Sequence, residues 1–479
     1  MRNNTQIRAG AAEIVITPPV GAPAIGTIQR STGVHDHLFA RALVLDDGRQ
    51  SVAIVSLDLI GLDFRQSDAI RKAVTQTAGI SRVVLHCTHN HSAPFNIPWS
   101  VLGPRWLDGP GKQWRDSLLT KISDLVAKAN AEREAVTLRA GRAPVHIGTN
   151  RRTLTDGAIV MKPNPDGPVV PWVDVLCIER QNGNLLSILF SHAAHPVIIH
   201  GSSRLISAEF PGFAVQKLKE KVGSNVIPIF AQAFAADING DPLRGGIEAA
   251  EQAGARLADA AYGAALNSTT ISSQSLTLTS NVTTLALLPL PSRKHCQEVL
   301  QQAEQNLKRH HGNDSFTDEQ LWEMQNRVEL ATSQTKSTAA DDTQPMESKA
   351  WWMMDTVLCL RDLLRKIELA DETPLRFEAE LLRIGDDWSA LAVTHELFAE
   401  YQLKLDVEVP TKYKMMLGYS NGCESYVPMD RDLALGGYEA ATFPALDGAS
   451  LRYRHRRALR PGCEQLVFET LRSLYTKPV

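Results

Sequence analysis

The feature that most constrains this chain is an alternation. Up to about residue 270, short β-rich apolar runs take turns with helical patterns. Ser51–Asp58 (SVAIVSLD) reads as a buried strand, Gln66–Thr77 as a helix and Ser81–Cys87 (SRVVLHC) as a second strand, with a longer helix over Trp114–Arg133. Leu185–Ser191 and Asn225–Phe230 are further strands, and Ala214–Lys221 and Gly246–Leu266 read as helices. Such alternation predicts an α/β fold, a layered mixed sheet flanked by helices. Polar residues that close the strands then face the crevice beyond the carboxyl ends, the usual site of an open α/β sheet.

From Arg293 to about Ala370 the pattern changes to a charged, Gln-, Glu- and Lys-rich stretch of helical period, with a polar segment, Ser333–Pro345, that reads as a loop. The predicted organisation is an α/β core over residues 1–290, a helical insertion or lid over 291–372, and a C-terminal part, 373–479, that completes the core. Its strands, Leu375–Ile384 and Ser389–Val393, are expected to extend the first layer.

Lys and Arg number 50 against 53 Asp and Glu, a formal charge of −3 that gives no basis for nucleic-acid or anionic-membrane partners. The best apolar runs, Val52–Leu62 and Val226–Ala236, are cut by Asp58 or closed by Asp237. Both fall short of the ~18 residues of a membrane span. Met1–Ala11 is polar and has no signal-peptide pattern, so a cytoplasmic protein is expected. Six scattered cysteines, with no C-x-x-C pair, read as reduced thiols. No phosphate-cradling glycine loop and no G-x-S-x-G elbow is present, so neither a nucleotide cofactor nor a serine-hydrolase elbow is indicated. Nothing indicates an oligomeric state.

Four short constellations carry chemical content. Thr88–Pro94 (THNHSAP) directly follows a strand, and in extended backbone side chains at i and i+2 share a face, so His89 and His91 can address one point. Two imidazoles suit Zn²⁺, although a pair of surface histidines in a turn has the same spacing. His195 leaves the Leu185–Ser191 strand and precedes Pro196, which fits a cleft and equally a hydrogen-bonded core histidine. Thr394–Glu400 (THELFAE) starts like a His-Glu-x-x-His helix, but Ala399 stands where the second histidine belongs, leaving Glu396 as a carboxylate candidate. Asp237 and Asp241, in a glycine-containing turn, either orient ligands or cap a helix.

Taken in order, these segments resemble the neutral/alkaline, non-lysosomal ceramidase family. The family's Thr-His-Thr-His-Ser-Gly-Pro corresponds to Thr88–Pro94, its Val-His-Pro to Ala194-His195-Pro196 with Ile206–Glu209 following, and its Gly-Glu-Phe to His395-Glu396-Leu397. Its Gly-Leu-x-Asn…Tyr segment corresponds to Gly418–Asn421 with Tyr426, and Tyr-Glu-Ala-Ala recurs at Tyr438–Ala441. Asn150-Arg151 and Gly33–His35 also match, so the likeness spans roughly Arg8 to Phe443 outside the helical stretch.

The resemblance implies one zinc ion held by His89, His195, Glu396 and Tyr426, with catalytic roles for His91, Arg151 and Tyr438. It also implies substrate contacts from His35, Asn239 and Arg151. Asp58, closing its strand, and Asp237 are added as residues that fix the ligands from behind. The implied reaction is hydrolysis of an amide (N-acyl) bond by zinc-activated water, Tyr438 and Arg151 stabilising the oxyanion and His91 carrying a proton. Ester, lactone or phosphoester hydrolysis on the same site, and a non-catalytic binding protein that keeps the pocket, are the alternatives. The chain departs from the pattern in four ways. Asn239 replaces a serine proposed as catalytic, no C-terminal immunoglobulin-like domain and no secretion signal are expected, and the helical stretch stands beside the pocket. With that stretch charged, a small, polar, soluble substrate is expected.

Overall fold

The computed structural model describes residues 6–24, 30–97, 106, 109, 111–311, 316–321, 323–324 and 346–476. The predicted loop Ser333–Pro345 lies outside the described residues. The helix Phe64–Ala78 shows how local chemistry sets the elements. Asp63 caps it by accepting from the Gln66 N–H at 2.7 Å, Phe64, Ile70 and Val74 turn inward, and Gly79 ends it at φ 72°, a left-handed conformation that suits glycine.

Two sheets lie face to face. The larger has nine strands. Its order across the sheet is Ile227–Gln232, Leu185–His192, Trp172–Arg180, Glu134–Pro144, Arg8–Val15, Phe39–Asp46, Ser51–Leu57 and Arg82–Cys87, with Thr269–Thr270 beside Glu134–Pro144. The smaller runs Leu276–Leu285, Leu375–Ile384, Trp388–Val393, Tyr413–Leu417. Leu45, Val52 and Ile229 of the first pack on Leu276, Leu382 and Trp388 of the second. Helices cover both outer faces. Phe64–Ala78 and Lys112–Ala131 lie on one half of the large sheet, and Glu209–Val222 and Ile247–Leu266 on the other. Ala399–Glu408 and Cys463–Thr476 cover the small sheet. Helix Lys112–Ala131 comes so close to the large sheet that a β-carbon on Gly10 would sit 1.9 Å from the Ala129 carbonyl oxygen. The architecture is the expected mixed α/β layering. The C-terminal strands, however, build a second sheet and do not extend the first, because Leu375–Ile384 pairs along its whole length with Leu276–Leu285.

Three pairs within these sheets are parallel: Ser51–Leu57 with Arg82–Cys87, Leu185–His192 with Ile227–Gln232, and Trp388–Val393 with Tyr413–Leu417. Their carboxyl ends meet. The Cys87 N–H donates to the Tyr419 carbonyl at 3.2 Å, and the Gly418 N–H to the Gln232 carbonyl at 3.1 Å.

The helices Arg293–His311 and Met346–Glu368 form a cluster of their own, with Cys296, Leu307, Val357 and Leu363 buried between them. Arg361 reaches Glu304 at 2.7 Å and Asp318 at 2.6 Å on its outside. Among the described residues no helix is long and apolar enough to cross a membrane.

Trp388, 1% exposed, fills the space between the sheets. Trp388→Ala is expected to cost about 3–5 kcal/mol of stability, the usual loss for emptying a large aromatic site. A lower denaturant midpoint in chemical unfolding checks this.

Candidate active site

Each parallel pair sends its two following loops to one place. Beyond Ser51–Leu57 and Arg82–Cys87, the Thr88 N–H bonds the Leu57 carbonyl (2.9 Å) and the Asn90 N–H the Leu59 carbonyl (3.2 Å), which lays Thr88–His91 along Asp58–Ile60. His89 is turned inward at φ 61°, an uncommon conformation for a non-glycine residue. Beyond Leu185–His192, the His195 N–H donates to Ile238 (2.9 Å) and its carbonyl accepts from Gly240 (3.0 Å). Beyond Trp388–Val393, Glu396 pairs in register with Tyr426.

His89, His195 and Glu396 meet in the interior. Glu396 Oε2 is 3.2 Å from Nε2 of both histidines, and all three residues are buried. The rings of His89 and His195 stand edge to face at 4.7 Å, and Tyr419 stacks on His89 at 4.1 Å. His89 Nδ1 is 2.7 Å from the Ile60 carbonyl oxygen and His195 Nδ1 is 2.6 Å from that of Ala235. A carbonyl can only accept, so Nδ1 of each ring donates to it and each Nε2 is left facing the carboxylate. Burial and the neighbouring Arg151 hold His195 at about 4, in its neutral form near pH 7. Burial would raise Glu396, but the two histidines outweigh it and keep the carboxyl well below the usual carboxylate range. The two Nε2 atoms and Glu396 Oε2 thus converge as three potential ligand atoms, a set that can hold a cation. Ligand atoms of His89, His91 and His195 lie within 4.8 Å of one another, and both ring nitrogens of half-buried His91 are shielded from solvent and lack a hydrogen-bond partner. The donor set fits a divalent, nitrogen-preferring metal ion.

Around this cluster, Arg151 spans several groups. Its Nε donates to Glu439 at 2.7 Å, and its two terminal nitrogens to Asn239 Oδ1 (2.9 Å) and the Tyr426 hydroxyl oxygen (3.1 Å). Glu439 also accepts from Arg152 at 2.6 Å, so one buried carboxylate balances two arginines. Tyr453 donates to Glu396 Oε1, fixing the carboxylate from the side away from the histidines. A cavity of about 580 Å³ opens on His91, Arg151, Asn239, Tyr426 and Tyr438. His200 also lines it, its ring 5.3 Å from that of His91.

Three expected placements differ. His35 does not line the cavity among the described residues. Its Nδ1 donates to Asp36 at 2.9 Å and its ring edge meets Phe213, because Asp36 is anchored on Ser207 and the Ala208 N–H. Asp58 does not touch a ligand histidine. Its carboxylate accepts from the Phe39 N–H (2.9 Å) and Arg41 (3.0 Å), and backbone carbonyls take the histidine Nδ1 protons instead. Asp237 accepts from Asn150 (2.9 Å) and from the Ala399 N–H (2.8 Å), capping the helix that follows Glu396 instead of one beside it in sequence. The charged helical stretch also lends an apolar wall. Ala303, Trp352 and Met353 line the cavity, since helical period turns one face of each helix inward whatever the average composition. Tyr419 and Glu439 lie inside the Gly418–Asn421 and Tyr438–Ala441 segments without a role assigned from sequence, and Cys423 and Tyr453 belong to no motif.

No protein-family model matches the chain. Among solved structures it is similar to neutral ceramidase from Pseudomonas aeruginosa, with a TM-score of 0.66, 18% identity, and coverage of 100% of this chain and 76% of that one. It is also similar to a ceramidase complexed with C2, at a TM-score of 0.64 and 16% identity, covering 99% of this chain and 77% of the other. At such identities the likeness establishes the fold: the chain has a neutral ceramidase-like fold.

Tyr453→Phe leaves a buried oxygen of Glu396 without its donor. The expected cost is about 1–3 kcal/mol in the metal-free protein. Urea unfolding of the two forms measures it, and equal midpoints would refute the assignment.

Proposed function

We propose that the protein is a zinc-dependent hydrolase that cleaves an amide bond of an N-acyl substrate, in the manner of the ceramidases whose fold it has. The observation that carries this reading is the meeting of two Nδ1-protonated imidazoles with an ionised carboxylate, 3.2 Å from each Nε2, beside a cavity. His89, His195 and Glu396 hold the metal, with Tyr426, in register beside Glu396, as the fourth ligand. Bound there, zinc acts as a Lewis acid and lowers the pKa of water.

The remaining work belongs to side chains. Arg151 is held by Glu439 and Asn239 and points a nitrogen at the Tyr426 oxygen, so its charge is stationed where negative charge develops on a carbonyl oxygen. Tyr438, half-buried in the cavity wall, supplies a second donor to that oxygen. Preorganised donors of this kind need no rearrangement during the reaction. His91 is neutral, because burial and the neighbouring His89 push it well below the ordinary imidazole value. It therefore starts as a base, taking the proton that the attacking water loses and passing it to the departing amine, which leaves neutral. Asn239 orients Arg151, a use of that position that requires no nucleophile.

The cavity accommodates a molecule of moderate size. Its apolar wall, Phe95, Val197, Trp352 and Met353, suits an acyl chain, which revises the expectation of a wholly polar substrate. The helices Arg293–His311 and Met346–Glu368 act as the wall that sets acyl length.

Metal analysis and turnover of a panel of N-acyl amides, esters and phosphoesters test the reading. The purified protein is expected to carry one zinc and to prefer amides, to lose turnover on chelation and to regain it with zinc. Glu396→Ala should lose both metal and turnover. Tyr438→Phe should keep the metal and lower kcat by about 10²-fold, the usual worth of one oxyanion donor. A folded protein that binds no zinc overturns the proposal, as does turnover indifferent to chelation.

A further inference from the structure

Glu396 and His89 have a neighbour that the zinc set leaves unused. Cys423 is buried, and its sulfur lies within 4.8 Å of ligand atoms of both His89 and Glu396. The thiol is placed by the backbone: the Cys423 N–H donates to the Leu62 carbonyl at 2.8 Å. Gly61, adjoining the Ile60 carbonyl that orients His89, packs against it, so that a β-carbon at Gly61 would come 3.1 Å from that of Cys423. The loop that aims His89 therefore also aims Cys423.

Two sets of potential ligands share this centre. One, His89, His91 and His195, offers only nitrogen, and the other, His89, Glu396 and Cys423, offers nitrogen, oxygen and sulfur. Thiolate sulfur selects soft ions, whereas imidazole and carboxylate suit zinc. Because His89 belongs to both, one ion excludes the other.

We propose that Cys423, with His89 and Glu396, forms a second, thiophilic metal position that overlaps the zinc position and inactivates the site when a soft divalent ion occupies it. On binding, the thiol releases its proton to solvent and the sulfur lone pair forms the bond to the metal, with no change in oxidation state. The proposal rests on the zinc reading for its inhibitory consequence, and on the geometry of the three side chains for the site itself.

Cadmium is the probe. Titrating the metal-free full-length protein with Cd²⁺ should raise an ultraviolet sulfur-to-cadmium charge-transfer band that saturates at one equivalent. X-ray absorption of the cadmium-loaded wild type should show one sulfur scatterer, a result that needs no variant to fold. Cys423→Ser should lose the band, Cys87→Ser should keep it, and cadmium-loaded wild type should take up no zinc. Absence of the band, its survival in Cys423→Ser, or uptake of zinc alongside cadmium each overturns the proposal. Zinc binding by the untreated wild type and by Cys423→Ser reports separately on the hydrolase reading. If neither binds zinc while the cadmium band appears, that reading fails and the thiophilic position stands.

Discussion

A carboxylate in a protein interior is costly unless something positive meets it, and Glu396 is such a carboxylate, 1% exposed. Its compensation organises the site. One oxygen is held by Tyr453, and the other lies 3.2 Å from Nε2 of both His89 and His195, whose Nδ1 atoms donate to backbone carbonyls. Arg151 supplies charge through Tyr426, and that arginine is in turn balanced by Glu439. A metal ion held by these groups would couple its binding to local stability, as in any preformed ligand cage.

The fold delivers these groups through three parallel strand pairs in two sheets. In a parallel pair both carboxyl ends leave the sheet on one side, so two loops are available at each, and Glu396 comes from one sheet while His89 and His195 come from the other. The hydrogen bonds from Cys87 to Tyr419 and from Gly418 to Gln232 lock the three ends together. Positive φ values at His89, His395 and Tyr419 show where the chain bends to bring side chains inward. Such conformations persist because the surrounding pairing over-determines them.

The legible part of this site is what short segments encode. A histidine pair after an apolar run, a histidine before proline and a glutamate after a strand can each be seen in a window of seven residues, and the fold brings His89, His91, His195 and Glu396 together. Tyr453 has no such window, and Glu439, although inside Tyr438–Ala441, has no partner within its window. Tyr453 acts through an oxygen of Glu396, 57 positions away, and Glu439 through Arg151, 288 away. Asp58 and His35 show the converse. Their motif positions suggested chemistry, but Arg41 and Asp36 stood nearer than the cluster did.

By itself the sequence determined the alternation of strands and helices, hence an α/β layering, and the candidate ligands at strand ends, because both are written in periodicity and in neighbours along the chain. Tertiary structure alone decided that the C-terminal strands form a second sheet, that the charged helical stretch presents an apolar wall, and that Cys423 stands beside His89 and Glu396. Each of these is a relation between segments far apart in sequence. Strand partners, the inward face of a helix and the reach of a side chain are settled only when those segments compete for the same interior space.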